Sequence, residues 1–404
     1  MISLSTFDDI AFAVFILTFL FMITIFLFEN NKKMKPKSRP FISFMIPTYN
    51  DANSLTETVK SVFKSYDRKR FEVFIINDKS PDNTSEILKK LERRYPLHII
   101  TNKKNIGKSK SLNNAFKYTK GEIIWILDSD THLHKNIVED SIARLEDKNV
   151  GGVSRRYVPI NKGFLASMQR VEYGMLGMIQ VSYNPFSTIA FWGACIAIKR
   201  EVFKKVGMFS DHFLTEDQDL ALKIGESGMK AQESTLPVHT YVPETMKEWY
   251  NQILRWSGGG MQNFIAHFKF FMKNPVAILF LITNGLLAIA FVVSLVNNII
   301  FIRNLVLLFD SFRDAGYSFF TSIGLAKIGN GLQLLKILLL YLLYPVFSIP
   351  YVAINYDLRK EPLKIFLIFP YAIIYFPMFI FVCVIGFFKG IYVTIKLKKK
   401  ERAW

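Results

Sequence analysis

The chain has 404 residues, is half hydrophobic with 38 phenylalanines, and carries 51 Lys plus Arg against 33 Asp plus Glu, a net charge of +18. Such a length leaves room for roughly two or three domains, and such a charge points to nucleic acid, anionic lipid or an anionic substrate. The distribution excludes nucleic acid as a main partner: Lys32, Lys33, Lys35, Lys37 and Arg39 follow the first apolar run, and Lys396, Lys398, Lys399, Lys400 and Arg402 follow the last, where topology and lipid signals stand.

Residues 10–28, "IAFAVFILTFLFMITIFLF", form an uncharged apolar run long enough to cross a bilayer. A cleaved signal peptide carries basic residues before its apolar run and small ones after it. Here Asp8 and Asp9 precede and lysines follow, so 1–30 reads as a retained anchor. The positive-inside rule then puts the N-terminus outside and the basic linker 31–40 in the cytosol. From 41 to 257 the chain reads as a soluble α/β domain. Strands are predicted at "FISFMI" (41–46), "FEVFII" (71–76), "LHII" (97–100) and "EIIWIL" (122–127). Helices are predicted between them, one opening at Ser54 with Glu57 in a capping-box pattern, another at "SPDNTSEILKKLERRY". Strands alternating with helices predict a doubly wound, mostly parallel sheet, which binds ligands at the carboxyl ends of its strands.

The segment "EWYNQILRWSGGGMQNF" (248–264) precedes the next apolar region. Gln252, Arg255 and Trp256 stand at i, i+3 and i+4 and share one face of a helix. A polar fork, a fixed cation and a flat aromatic suit a phosphate-bearing sugar; on spacing alone, anchoring of Trp249, Trp256 and Arg255 at lipid headgroups fits equally well. Residues 258–275 read as an interfacial helix or linker. Three membrane spans are expected within 276–390, at about 276–302, 334–354 and 365–388, with Pro345 and Pro350 tolerable in a membrane helix. A basic tail, 391–404, closes the chain and is too short for a regulatory cyclic-dinucleotide domain. An odd number of later spans puts that tail outside, against the preference of its charges. The two cysteines, Cys195 and Cys383, offer no disulfide framework, and the histidines show no zinc-ligand spacing.

The acidic residues fall where the fold class puts ligands. Asp78 ends the second strand run in "FIINDKSPDNT", Asp128 and Asp130 end the fourth in "ILDSDTH", and Glu216 and Asp217 stand in "FLTEDQDL". A lone Asp at a strand end is often a turn residue or helix cap, and Asp82 is the better cap near Asp78. In an extended segment Asp128 and Asp130 point the same way and can reach one ligand together. Mg²⁺ or Mn²⁺ takes oxygen ligands and commonly bridges a carboxylate to substrate phosphates. Dispersed carboxylates with Gln252 and Arg255 therefore suit a metal-bound diphosphate leaving group.

With "NDKS", "DSD", "TED" and "QILRW" in this order, the chain resembles the membrane-integrated branch of the inverting family-2 glycosyltransferases, a branch that holds cellulose, chitin, hyaluronan and poly-N-acetylglucosamine synthases and ceramide glucosyltransferase. "IPTYND" (46–51) and "NIGKSKSLNNAF" (105–116) match the family's nucleotide-binding turns, and the resemblance covers about 41–260 with the flanking apolar segments. It implies a GT-A type fold with flanking transmembrane and interfacial helices, and a hexosyltransferase of a multi-pass cell membrane whose catalytic domain is cytosolic. Pro47, Thr48, Tyr49 and Asp51 would line the base and ribose pocket, Asp51 standing where many relatives have Glu. Asp78 would bind the uracil, Lys108 would approach the diphosphate, Asp128 would contact the ribose or metal, and Asp130 would hold Mg²⁺ or Mn²⁺. Asp217, beside Glu216, would be the general base; Gln252 and Arg255 would hold the diphosphate, and Trp256 would stack on the acceptor sugar. "FWGACIAIKR" (191–200) matches the acceptor-side loop with Trp192 and Gly193; many relatives have Ser where Trp192 stands, and the family pattern does not explain the difference. The leading expectation is a processive synthase that extends a β-linked polysaccharide from a UDP-sugar, UDP-N-acetylglucosamine by the look of "VPETMKEWYNQILRW", and moves it across the bilayer. The runner-up transfers one sugar to a membrane lipid. Sugar, linkage and any accessory membrane subunit stay open.

Overall fold

The computed structural model describes residues 4–32, 34–279, 281–283 and 347–401. Helix α1 (Leu4–Asn31) leads into the α/β domain. Its first half runs β1 (Ile42–Thr48), α2 (Ala52–Ser65), β2 (Phe71–Asn77), α3 (Thr84–Glu92), β3 (His98–Thr101), α4 (Lys108–Phe116) and β4 (Ile123–Leu127). The second half runs α5 (Lys135–Leu145), β5 (Val150–Pro159), α6 (Phe164–Ser182), β6 (Cys195–Lys199), α7 (Arg200–Lys205), α8 (Glu216–Glu226) and β7 (Lys230–Thr240). Helices α9 (Met246–Ala266), α10 (Phe268–Phe271), α11 (Ile349–Asn355) and α12 (Phe376–Glu401) follow.

The strands form one sheet of order β3-β2-β1-β4-β6-β5-β7. β1, β2, β3 and β4 are parallel, β5 and β7 are parallel, and β6 runs antiparallel between β4 and β5. This is the expected mostly parallel α/β fold of GT-A type. β1, β2 and β4 are buried almost throughout, as strands covered by helices on both faces must be. Helix α2 buries Leu55, Val59, Val62 and Phe63, an i, i+4, i+7, i+8 stripe. It starts at Ala52 rather than at Ser54, whose hydroxyl donates back to Asp51 Oδ1 at 2.7 Å.

Strands β5 and β7 carry too many polar residues to be read as core strands from sequence, yet β5 is buried throughout and β7 is buried from Ala231 to Thr240 except at Gln232, Leu236, Pro237 and His239. Several of their polar groups pair across the ladder and against α5: Ser154 donates to Glu233, and Arg155 Nη1 donates to Ser234 Oγ at 2.8 Å. Arg155 also donates to Asp140 at 2.8 Å, and Asp140 pairs with Arg144 at 3.1 Å. Arg144 in turn meets Glu29 of α1 at 3.0 Å. All four side chains are less than a tenth exposed, so a buried ionic chain ties α1 to the domain.

Among the described residues, two segments are long and apolar enough to cross a membrane, Ala13–Asn31 and Pro362–Lys396. They overlap the apolar runs from which an anchor and a last span are expected; the expected spans near 276–302 and 334–354 lie largely outside the described residues. α9 opens with a capping box: Thr245 Oγ1 accepts from the Glu248 N–H and the Glu248 carboxylate accepts from the Thr245 N–H, each at 3.2 Å. It then runs unbroken to Ala266, through the expected 257/258 boundary. α12 lies on it backbone to backbone, because Gly386 and Gly390 face Ser257 and Gly258; a Cβ on Gly386 would overlap the Ser257 side chain, and one on Gly390 the Gly258 carbonyl. Trp249 of α9 donates to the Tyr375 hydroxyl at 2.6 Å, and that hydroxyl donates to Glu172 of α6.

Candidate active site

Thr48 ends β1, Asn77 ends β2 and Leu127 ends β4, so Asp51, Asp78 and Asp128 all stand just past the carboxyl edge of the sheet. Pro47 and Thr48 close β1, with Thr48 buried and its hydroxyl unpartnered, while Tyr49 is exposed. Asp78 accepts from Asn102 Nδ2 at 2.8 Å and from the backbone N–H groups of Ile106 and Gly107 at 2.9 and 2.7 Å. Burial alone would raise its pKa, but these donors and Ser111 hold it below the usual carboxylate value. Its protein partners thus include the 105–107 turn, which brings Gly107, at φ 87°, and Lys108 to the N-terminus of α4.

Lys108 Nζ lies 2.5 Å from Asp128 Oδ1 and 3.4 Å from the Gly193 carbonyl oxygen. Burial works against its charge, but the carboxylates of Asp128, Glu216 and Asp217 raise its pKa and keep it cationic. Asp51 accepts from Ser129, the residue between the two aspartates of the "DSD" segment. Asp130 accepts from Thr240 at 3.0 Å and Thr131 at 3.2 Å. Its carboxyl is pushed up to about 7, first by burial and then by the charges of Asp128 and Asp51. Among the described residues no group of three His, Cys, Asp or Glu side chains is arranged to hold a metal alone. What Asp130 offers is a single hard-oxygen ligand under pressure from neighbouring negative charge, which suits Mg²⁺ or Mn²⁺ shared with substrate phosphates.

Across the site, Glu216 and Asp217 open α8. Gly193 brings the two sides together: a Cβ there would sit 2.6 Å from Asp217 Oδ2, so only glycine permits this approach. The Asp217 carboxyl is pushed up to about 6 by burial and by the charge of Glu216, with Lys108 and Arg255 pulling the other way. A cavity of about 270 Å³ beside Asp217 is lined by Tyr157, Trp192, Gly193 and Trp256, and by Phe379 and Cys383 of α12. Trp192 packs edge-on to Tyr157 at 4.5 Å, to Tyr173 at 5.5 Å and to Trp256 at 6.5 Å between ring centroids. Filling this aromatic cluster is a job a serine could not do. Gln252 receives the Tyr173 hydroxyl at 3.4 Å, and Arg255 is exposed, donating to the Leu214 carbonyl at 3.2 Å. The donor-side residues and Asp217 therefore converge, whereas Arg255 stands at the rim with no carboxylate in ion-pair range among the described residues. Tyr157 and Tyr173 escaped sequence reasoning; their one signal is a tyrosine in each of the two segments before "FWGAC".

The fold is of GT-A type, and residues 43–207, from β1 to just past α7, match the profile of glycosyl transferase family 2. The chain is 28% identical over 254 residues to a probable glycosyltransferase, YdaM, of Bacillus subtilis, covering 59% of each chain. It is 27% identical over 239 residues to the poly-beta-1,6-N-acetyl-D-glucosamine synthase of Staphylococcus aureus, covering 58% of each. It thus spans under two thirds of the length of these curated relatives. Among solved structures it is similar in fold to the mannosyltransferase PcManGT of Pyrobaculum calidifontis in complex with GDP-Man and Mn²⁺, with a TM-score of 0.56 at 21% identity, over 86% of this chain and 98% of that one.

Proposed function

We propose that the protein is an inverting glycosyltransferase that takes a sugar from a nucleotide-sugar donor. The observation that carries the reading is the meeting at Gly193 of a carboxylate with a raised pKa, Asp217, and the Lys108–Asp128 pair. In this reading the acceptor O–H attacks the anomeric carbon, its proton passes to Asp217, and the bond from that carbon to the diphosphate oxygen breaks on the opposite face. Lys108 and the N-terminus of α4 bind the diphosphate, since a helix start favours anionic groups, and Arg255 with Gln252 closes over it. Pro47, Thr48, Tyr49, Asp51 and Asp78 frame the nucleotide. A divalent cation, when bound, would supply charge stabilisation to the leaving diphosphate. Asp130 would hold it, with Asp128 beside it. Trp256 and Trp192 form the acceptor wall.

For the acceptor we favour the growing end of a polysaccharide made from UDP-N-acetylglucosamine, supported by the likeness to the Staphylococcus aureus synthase. One observation favours a second reading, a membrane lipid acceptor: the cavity beside Asp217 is mostly apolar and reaches α12. We place the α/β domain (41–257) in the cytosol, between the anchor (1–30) and linker (31–40) and the later membrane segments, because the basic cluster at 32–39 follows the first span. Purified protein incubated with radiolabelled UDP-sugars and Mn²⁺ or Mg²⁺ is expected to yield a labelled polymer by size analysis; label only in the lipid fraction would establish the second reading, and no transfer from any donor would refute both. EDTA is expected to abolish transfer and added Mn²⁺ to restore it. Full activity after thorough chelation would remove the metal from Asp130.

A further inference from the structure

The far end of α9 holds three side chains that the reaction does not use and that all reach the segment carrying Asp217. Gln262, buried, accepts from the Leu214 N–H at 3.0 Å and donates to the His212 carbonyl at 2.8 Å. Asn263, fully buried, donates to the Thr215 carbonyl at 3.1 Å and its hydroxyl at 3.0 Å. His267 places Nε2 3.0 Å from Asp219 Oδ1 and Nδ1 2.9 Å from Glu226 Oε1. Carboxylates only accept, so a ring bonded to one on each side needs hydrogens on both nitrogens and is an imidazolium. Gly259 lets the contact close, since a Cβ there would overlap the Thr215 side chain.

The residues so held, 212–215, run directly into Glu216 and Asp217, and Asp219 lies one half-turn beyond. α9 therefore carries Gln252, Arg255 and Trp256 at one end and grips the helix of the proposed base at the other. We propose that Gln262, Asn263 and His267 are positioning residues that fix Asp217 relative to the α9 diphosphate and acceptor groups, and that the grip requires His267 to be charged. The inference rests on the glycosyltransferase reading for its effect on rate, and on geometry alone for the grip itself. The titratable groups facing the ring are Asp219 and Glu226, with Lys223 on the far oxygen of Asp219 at 2.6 Å; Phe213 lies beside the ring. Burial lowers the pKa of His267, but the two carboxylates outweigh it and the net shift is upward. The charged grip is thus fully present below the ordinary histidine pKa and is lost as pH rises through the raised value.

The test compares the full-length protein with His267→Gln and Glu226→Gln. His267→Gln should lower kcat roughly 10- to 100-fold, as small misplacements of reacting groups do, with KM for the UDP-sugar within about threefold, because the donor side is untouched. It should also erase the alkaline limb of the kcat profile. Glu226→Gln, at a half-exposed site that tolerates substitution, should move that limb to lower pH and so reports even where His267→Gln folds poorly. Hydrogen exchange of the 210–220 peptide, which needs no activity, should quicken at least about tenfold in His267→Gln. Unchanged exchange overturns the grip whatever the activity; quickened exchange with kcat unchanged overturns its role in positioning. A parent protein that transfers no sugar refutes the glycosyltransferase reading alone, leaving exchange to decide the grip.

Discussion

Asp217→Asn is expected to lower sugar transfer at least about a hundredfold while nucleotide binding stays nearly intact, since base assistance is worth about 10²–10⁴-fold. Asparagine keeps the side-chain volume beside Gly193 and removes only the basicity. As the proposed base, the same residue is expected to set the acid side of the pH profile. Burial and Glu216 push its carboxyl up to about 6, and the protonated form cannot accept the acceptor's proton. Transfer by the unmodified protein should therefore rise as pH climbs through about 6, and the residual rate of the variant should lack this rise. Initial rates with UDP titrated by calorimetry check both points; a variant within a few-fold of the parent removes Asp217 from the role.

The second large effect is on stability. Asp140→Leu should destabilise the fold by about 3–5 kcal/mol, because it strips the carboxylate shared by Arg144 and Arg155 and leaves buried guanidinium groups undercompensated. Ser234 also loses its bond to Asp140, 2.8 Å in the parent. Chemical denaturation in detergent, read by fluorescence, should show the midpoint fall sharply, whereas Glu57→Leu, breaking an exposed helix pair, should change little. Equal midpoints for Asp140→Leu and the parent would mean that solvent reaches this chain of charges.

What the sequence discloses follows from where chemistry and period coincide. β1, β2 and β4 are legible because unbroken apolar runs between polar helices have one good solution, and Asp78 and Asp128 then fall at strand ends by arithmetic. β5 and β7 are hidden because their stability comes from partners far along the chain, such as Arg155 with Asp140 and Ser154 with Glu233, which no local pattern displays. Trp192, where the resemblance leads one to expect serine, has a packing role visible only in three dimensions, the ring cluster with Tyr157 and Tyr173. Gln262, Asn263 and His267 are hidden for the same reason: amides and a lone histidine on a helix have no signature until the loop they hold is seen beside them.

The glycine contact between α9 and α12 has a mechanical meaning. Where long side chains separate two helices, rotamers can absorb a small shift of one against the other. Gly386 and Gly390 leave no such cushion against Ser257 and Gly258. Bare main chain transmits tilt directly, and α12 belongs to an apolar segment of 35 residues, longer than the roughly 20 a bilayer requires. A shift of α12 is therefore carried without slack to α9, the helix that holds Arg255 and Trp256.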